Sequence, residues 1–294
     1  MTQVQNLGAV QLSQKAFNGV QNAQKGYAYL LNEPIEDKVE LNSNKEDSKV
    51  LGAVAGGAIS AGVGYVAHSD LKLLSYKMQE VAEKVNVDEN LVNRILNKTG
   101  LSKKGVKLNN FAKGAPIALD PISEKMISAI KNGKNAAYNP VDKTVMVNLE
   151  KAGGTVFHEI GHAINANKSK FWRALQKVRP VAMFAPLALF LTAILKSKKA
   201  EGEKAVGFWD KTTTFIKENV GKLTTLAMLP ILAEELRATA VGNKLAKAVL
   251  KPEQFKQVVK SNKIGAVSYA AVALLSGFSA MFATKVRDKV AKKD

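Results

Sequence analysis

His158-Glu159-Ile160-Gly161-His162 (HEIGH) is the stretch whose reading decides this chain. On a helix, the four-residue spacing puts both imidazoles on one face, one turn apart. There each can offer a nitrogen to the same zinc ion at about 2.0–2.1 Å. Glu159 then sits beside the first ligand, placed to work on a metal-activated water instead of on the metal. Val156, Ile160, Ala163 and Ile164 form the opposite, apolar stripe, so such a helix can bury one side while its ligand side faces a cleft. The chain has only 3 histidines in 294 residues. Random placement would produce the motif roughly 0.002 times, which makes accident a poor explanation.

Two histidines leave a catalytic zinc site one protein ligand short. The chain has no cysteine, which excludes thiolate ligands, disulfides, iron–sulfur clusters and cysteine nucleophiles. His68 lies far upstream, so a carboxylate is expected to complete the set. The segment Leu232–Ala240 (LAEELRATA) supplies the strongest candidates. Glu234 and Glu235 abut the uncharged run Leu223–Ala233, where ionised groups are costly unless they hold a cation. The competing reading makes them the first solvated turn after a buried helix, with Arg237 and Lys244 as neighbours. On a helix, Glu235, Ala238 and Gly242 share a small-residue face that would let it approach the HEIGH helix closely. Glu234, about 100° round, would point elsewhere and be dispensable for metal. Glu235 leads as the third ligand, and Glu234 is the alternative.

The pattern HEIGH followed 73 positions later by Glu235 in Glu-x-x-Ala resembles the gluzincin metallopeptidases, most closely the integral-membrane CAAX-prenyl-protease and HtpX-like family. The resemblance covers residues 140 to 240. It implies a mainly α fold: a zincin-like metallopeptidase core with a short edge strand and apolar, membrane-embedded helices. It also implies His158, His162 and Glu235 as zinc ligands, with Ala238 at the matching position, and Glu159 as general base. In that family an apolar segment separates the two motif helices, as residues 180–195 and 223–233 would here. The family has Asp directly after the Ala, whereas this chain has Thr239. The carboxylate that orients a histidine ligand is therefore missing or comes from elsewhere.

On either side of this region, residues 1–48 read as a polar tail and 49–294 as the metallopeptidase domain. Leu74, Met78, Val81 and Val85 recur at helical spacing. A second helix carrying Leu91 and Ile95 is expected between an Asp88 N-cap and a Gly100 stop, and a third from Ser123 to Gly133. Pro140–Asn148 (PVDKTVMVN) is short and β-branched, and predicts the edge strand, with Thr144–Asn148 available to an extended substrate. Apolar helices are expected near 50–67, 180–195, 223–233 and 264–284, of which only the last has the roughly 20 residues that cross a bilayer core. Pro186 and Pro230 suit a re-entrant or kinked hairpin, or buried helices. If Glu235 joins the histidines, residues 163–234 must return to one side of any membrane, with Lys196–Lys204 (KSKKAEGEK) as the turn.

Lysine and arginine total 43 against 25 acids, a net charge of +18 that suits anionic partners. Aromatics are 6% and do not interleave with basic runs, so no nucleic-acid partner is expected and membrane lipid is preferred. Without a recognisable cleaved signal, the expected location is the inner or cytoplasmic membrane, with the cytoplasm as alternative. The expected activity is zinc-dependent endopeptidase, with Zn2+ as cofactor and a peptide or protein as substrate. The alternative is a non-catalytic, basic membrane-binding or membrane-perturbing helical protein in which HEIGH is idle. Tyr138, Tyr269 and His68 are equal candidates to assist the transition state.

Overall fold

Asp88 accepts a hydrogen bond from the Leu91 amide at 2.6 Å and caps α1 (Glu89–Lys98), which buries Val92, Ile95 and Leu96. Gly100, at φ 69°, turns the chain out of the helix, so both expected boundaries are present. The computed structural model describes residues 74, 76–114, 124–199 and 202–290. The expected tail at 1–48, the apolar stretch at 50–67 and His68 lie outside the described residues. An earlier helical stretch ends at residue 82, and Val85 beyond it joins the same core as α1.

The chain then forms a small sheet. β1 (Lys107–Asn110) is followed by α2 (Glu124–Lys131), β2 (Ala137–Asn139) and β3 (Thr144–Val147). β1 runs parallel to β3 and β2 antiparallel to it, giving the order β1-β3-β2 with Lys107 opposite Thr144 and Ala137 opposite Met146. The predicted strand at 140–148 exists as β3, but it is central and not an edge. Val145 and Val147 are buried in the same core as α1, and Met146 is buried with Phe111 and Ile130 in a second cluster. The outer strands are β1 and β2. The β2 sequence AYN, like KLNN of β1, is too short and too polar to carry a period-two pattern.

Asn148 caps α3 (Leu149–Ala152) by accepting from the Glu150 and Lys151 amides at 3.1 Å. A single 3-10 turn, Gly153–Thr155, then aims α4 (Val156–Lys168) across the sheet. Val156, Phe157, Ile160 and Ala163 are fully buried against α1 and the sheet, and Ile164 packs at their margin, so the predicted apolar stripe is the core side of α4.

The rest is a helical assembly, and the described residues are mainly helical. α5 (Lys170–Leu195) runs outward and α6 (Gly207–Ala227) returns beside it. α7 (Leu229–Val249) then lies on α4, and α8 (Pro252–Val290) closes the bundle. Ala193, Val220 and Ala280 pack α5, α6 and α8 together. At the far end Lys217 Nζ donates to Lys196 O at 2.6 Å and pairs with Asp288 at 2.5 Å. Lys196 begins the expected basic turn, so the return passage required by the ligand geometry is this hairpin. Leu223–Ala233 is not one apolar helix as expected. It is divided at Met228, because Pro230 lacks an amide hydrogen and suits the first turn of a new helix.

Among the described residues, two helices are long and apolar enough to cross a membrane. α5 is longer than its uncharged run suggests, because Lys170, Arg173, Lys177 and Arg179 extend the same helix toward its N-terminus. Its face bearing Val181, Phe184, Leu187 and Leu195 is more than half exposed. α8 likewise exposes Val267, Leu274 and Phe278.

A candidate metal centre between two helices

α4 carries His158 and His162 one turn apart, and their Nε2 atoms lie 3.0 Å from each other. α7 delivers Glu235, whose Oε2 is 3.1 Å from His158 Nε2 and 3.4 Å from His162 Nε2. Around a tetrahedral zinc, with bonds near 2.0–2.1 Å, donors sit about 3.3–3.4 Å apart, so this set fits such an ion. His158, His162 and Glu235 are the group able to hold a metal among the described residues.

The approach of the two helices depends on glycine. A Cβ on Gly161 would lie 2.2 Å from Ala238 O, and one on Gly242 would lie 2.6 Å from Phe157 O. Backbone meets backbone at both places, along the predicted small-residue face Glu235-Ala238-Gly242. Without that approach the Glu235 carboxylate could not reach both imidazoles.

Each histidine is also held from behind. The Glu234 carboxylate lies 2.9 Å from His162 Nδ1, and Thr239 Oγ1 lies 3.2 Å from His158 Nδ1. An ionised carboxylate can only accept, so His162 Nδ1 carries a proton toward Glu234, and Nε2 is the nitrogen that faces Glu235. Glu234 therefore does not point elsewhere, as its place on the helix suggested. It supplies the orienting carboxylate that Thr239 does not, while Thr239 still touches the other ring.

Glu234 is 1% exposed and fully partnered. It accepts from Asn165 Nδ2 at 2.9 Å, Gln176 Nε2 at 2.7 Å and Arg179 Nη1 at 3.3 Å. Arg179 also pairs with Oε1 of Glu235, leaving Oε2 to face the histidines. Asn165, Gln176 and Arg179 were not anticipated. The available signal was Arg179 itself, a cation at the border of the apolar run. Arg237, expected beside the acids, is exposed and lies over the Trp172 ring instead.

The electrostatics favour positive charge between these groups. Burial alone would raise Glu235, but hydrogen bonds from His158 and His162 hold it well below the usual carboxylate range. Glu234 is lowered in the same way, by His162 against its own burial. Burial would lower His162, yet the Glu234 and Glu235 carboxylates outweigh it and raise the ring to about 10. The same field that holds a proton here would hold a divalent cation.

The donors open into a cleft of about 410 Å³ that Glu159 and Tyr269 also line. The segment 133–138 and Pro140, which include most of β2, line it as well. Glu159 is buried, at 7% exposure, and lines the cleft together with its neighbours His158 and His162. Tyr138 lines the cleft as well, with its hydroxyl accepting from Asn167 Nδ2 at 2.8 Å. No protein family, curated protein or solved structure matches this chain.

Proposed function

We propose that the chain is a zinc-dependent endopeptidase of the gluzincin kind, held in the inner or cytoplasmic membrane by α5 and α8. The observation that carries this reading is the convergence of Glu235 Oε2 with two histidine Nε2 atoms at tetrahedral spacing, in a cleft that also contains Glu159. When bound at His158, His162 and Glu235, zinc supplies a Lewis acid that polarises a scissile carbonyl and brings a water pKa near 7.

The chain's own residues do the rest. Glu159 takes the proton of the attacking water and passes it to the departing amine. Glu234 keeps the His162 ring turned with Nε2 inward, and Arg179 keeps Glu235 to a single inward oxygen. Among the described residues β2 has a partner on one side only, and an extended polypeptide laid along its open edge would pair there with its scissile bond near Glu159. Tyr269, which lines the same cleft, would donate to the carbonyl oxygen as negative charge develops on it. The exposed apolar faces of α5 and α8 and the net charge of +18 support a place among anionic lipids.

The test is elemental analysis of the purified chain and of His162→Ala, alongside proteolysis by wild type and Glu159→Gln. The reading expects one zinc per chain, lost in His162→Ala, and proteolysis that vanishes in Glu159→Gln while zinc stays. A zinc-free, inactive wild type would favour the basic membrane-binding alternative.

A further inference from the structure

A second concavity, of about 630 Å³, opens beside the cleft. Its wall carries Lys103, Lys104, Lys143, Arg173 and Lys177 and no acidic residue. Among the described residues none of the five forms an ion pair with a carboxylate. Arg173 Nε donates to Ala166 O at 2.5 Å and Lys104 Nζ to Asn167 O at 2.9 Å, so these two cap the carbonyl end of α4. Lys143 Nζ likewise donates to Lys104 O at 3.0 Å, but among the described residues no such bond accounts for Lys103 and Lys177 at the same hollow. Like charges in one concavity raise the local concentration of anions and reward whichever anion fits.

The position of the hollow selects the anion. Tyr138, Pro140 and Gln176 border both the cleft and the basic hollow. The end of β2 thus leads from the metal ligands to the lysines, and a strand laid on its open edge would run from one to the other. Alternate side chains of such a strand point the same way, so a carboxylate a few residues from the scissile bond would enter the hollow. We propose that this basic hollow receives an acidic side chain of the polypeptide substrate, and so selects which bond lies over the His158-His162-Glu235 centre. The inference rests on the peptidase reading.

The test compares zinc-loaded wild type with the double variant Lys103→Gln/Lys177→Gln on a peptide mixture from a digested proteome, with cleavage sites sequenced. Both lysines are exposed and neither belongs to the metal centre. Wild type is expected to cut where Asp or Glu stands at a fixed distance on one side of the bond, enriched several-fold over its frequency in the mixture. The double variant should lose most of that enrichment. Its KM for an acidic peptide should rise several-fold with kcat unchanged, and its turnover of a neutral peptide should match wild type. Cleavage without acidic enrichment, or enrichment indifferent to the double variant, would overturn the inference and leave the peptidase reading intact. Unbiased cleavage together with lysine-dependent binding to phosphatidylglycerol vesicles would overturn it in favour of a lipid headgroup. No cleavage by the zinc-loaded protein would remove the peptidase reading, and the inference with it.

Discussion

Glu234 grips His162 by its outer nitrogen: the carboxylate and Nδ1 lie 2.9 Å apart, on the far side of the ring from the Nε2 that faces Glu235. Neighbouring acids on one helix thus act on opposite ends of one imidazole. Glu235→Ala should lower zinc affinity by orders of magnitude, since it removes a ligand. Glu234→Ala should lower it about 10–100-fold, the usual cost of losing an orienting partner. Competition against a chromophoric chelator measures both, and equal affinities for Glu234→Ala and wild type would contradict the orienting role.

Gly161→Ala and Gly242→Ala should each destabilise the protein by about 1–3 kcal/mol or more, because the added methyl meets backbone that cannot rotate away. Both should also weaken zinc binding, since the carboxylate is carried off with α7. Gly265→Ala is the control: its Cβ would meet Met78 Sδ at 3.5 Å, an ordinary contact. Denaturant midpoints of the three variants give the comparison, and a mild Gly161→Ala would mean that α4 and α7 can separate freely.

After zinc is stripped with a chelator, stability should fall on both sides of a plateau. Glu234 and Glu235 have lowered folded-state values, so their contribution is present above about pH 4.5 and is lost as the pH falls through the folded values. His162 is raised from 6.5 to about 10, so its contribution is complete below 6.5 and lost as the pH rises toward 10. Denaturant midpoints at a series of pH values should show the decline on each side. A midpoint that climbs between pH 7 and 9.5 would contradict a protonated His162 held by the two carboxylates.

Carbonate extraction of cells expressing the chain should leave it in the membrane pellet, given the exposed apolar faces of α5 and α8. Recovery in the supernatant would assign those faces to contacts within or between soluble chains.

The parts of this molecule that could be read in advance are those written in local spacing. His158 and His162 share a face because 3.6 residues make a turn, and Glu235-Ala238-Gly242 form a close-packing stripe for the same reason. Glu234 was misread by that logic: one helical wheel assumes one neighbour, whereas α7 is flanked by both α4 and α5. Arg179 reaches its carboxylates across 55 and 56 positions, so its place at the edge of an apolar run marks it as a cation of interest without saying which acids it meets. β1 and β2 escaped notice because three or four mostly polar residues carry no period, and their pairing is imposed by the buried β3 between them.

The separation of the ligands along the chain also sets an order of assembly. His162 and Glu234 are 72 positions apart, with the whole α5–α6 hairpin between them. At a synthesis rate of about 5–20 residues per second, the histidines precede their carboxylates by roughly 4–14 s. During that interval a nascent chain has two imidazoles but no acid from α7, and Gly161 has no Ala238 to press against. The hairpin must leave and return before the His158-His162-Glu235 group can close, so α5 and α6 are made before that group is complete and α8 only after it.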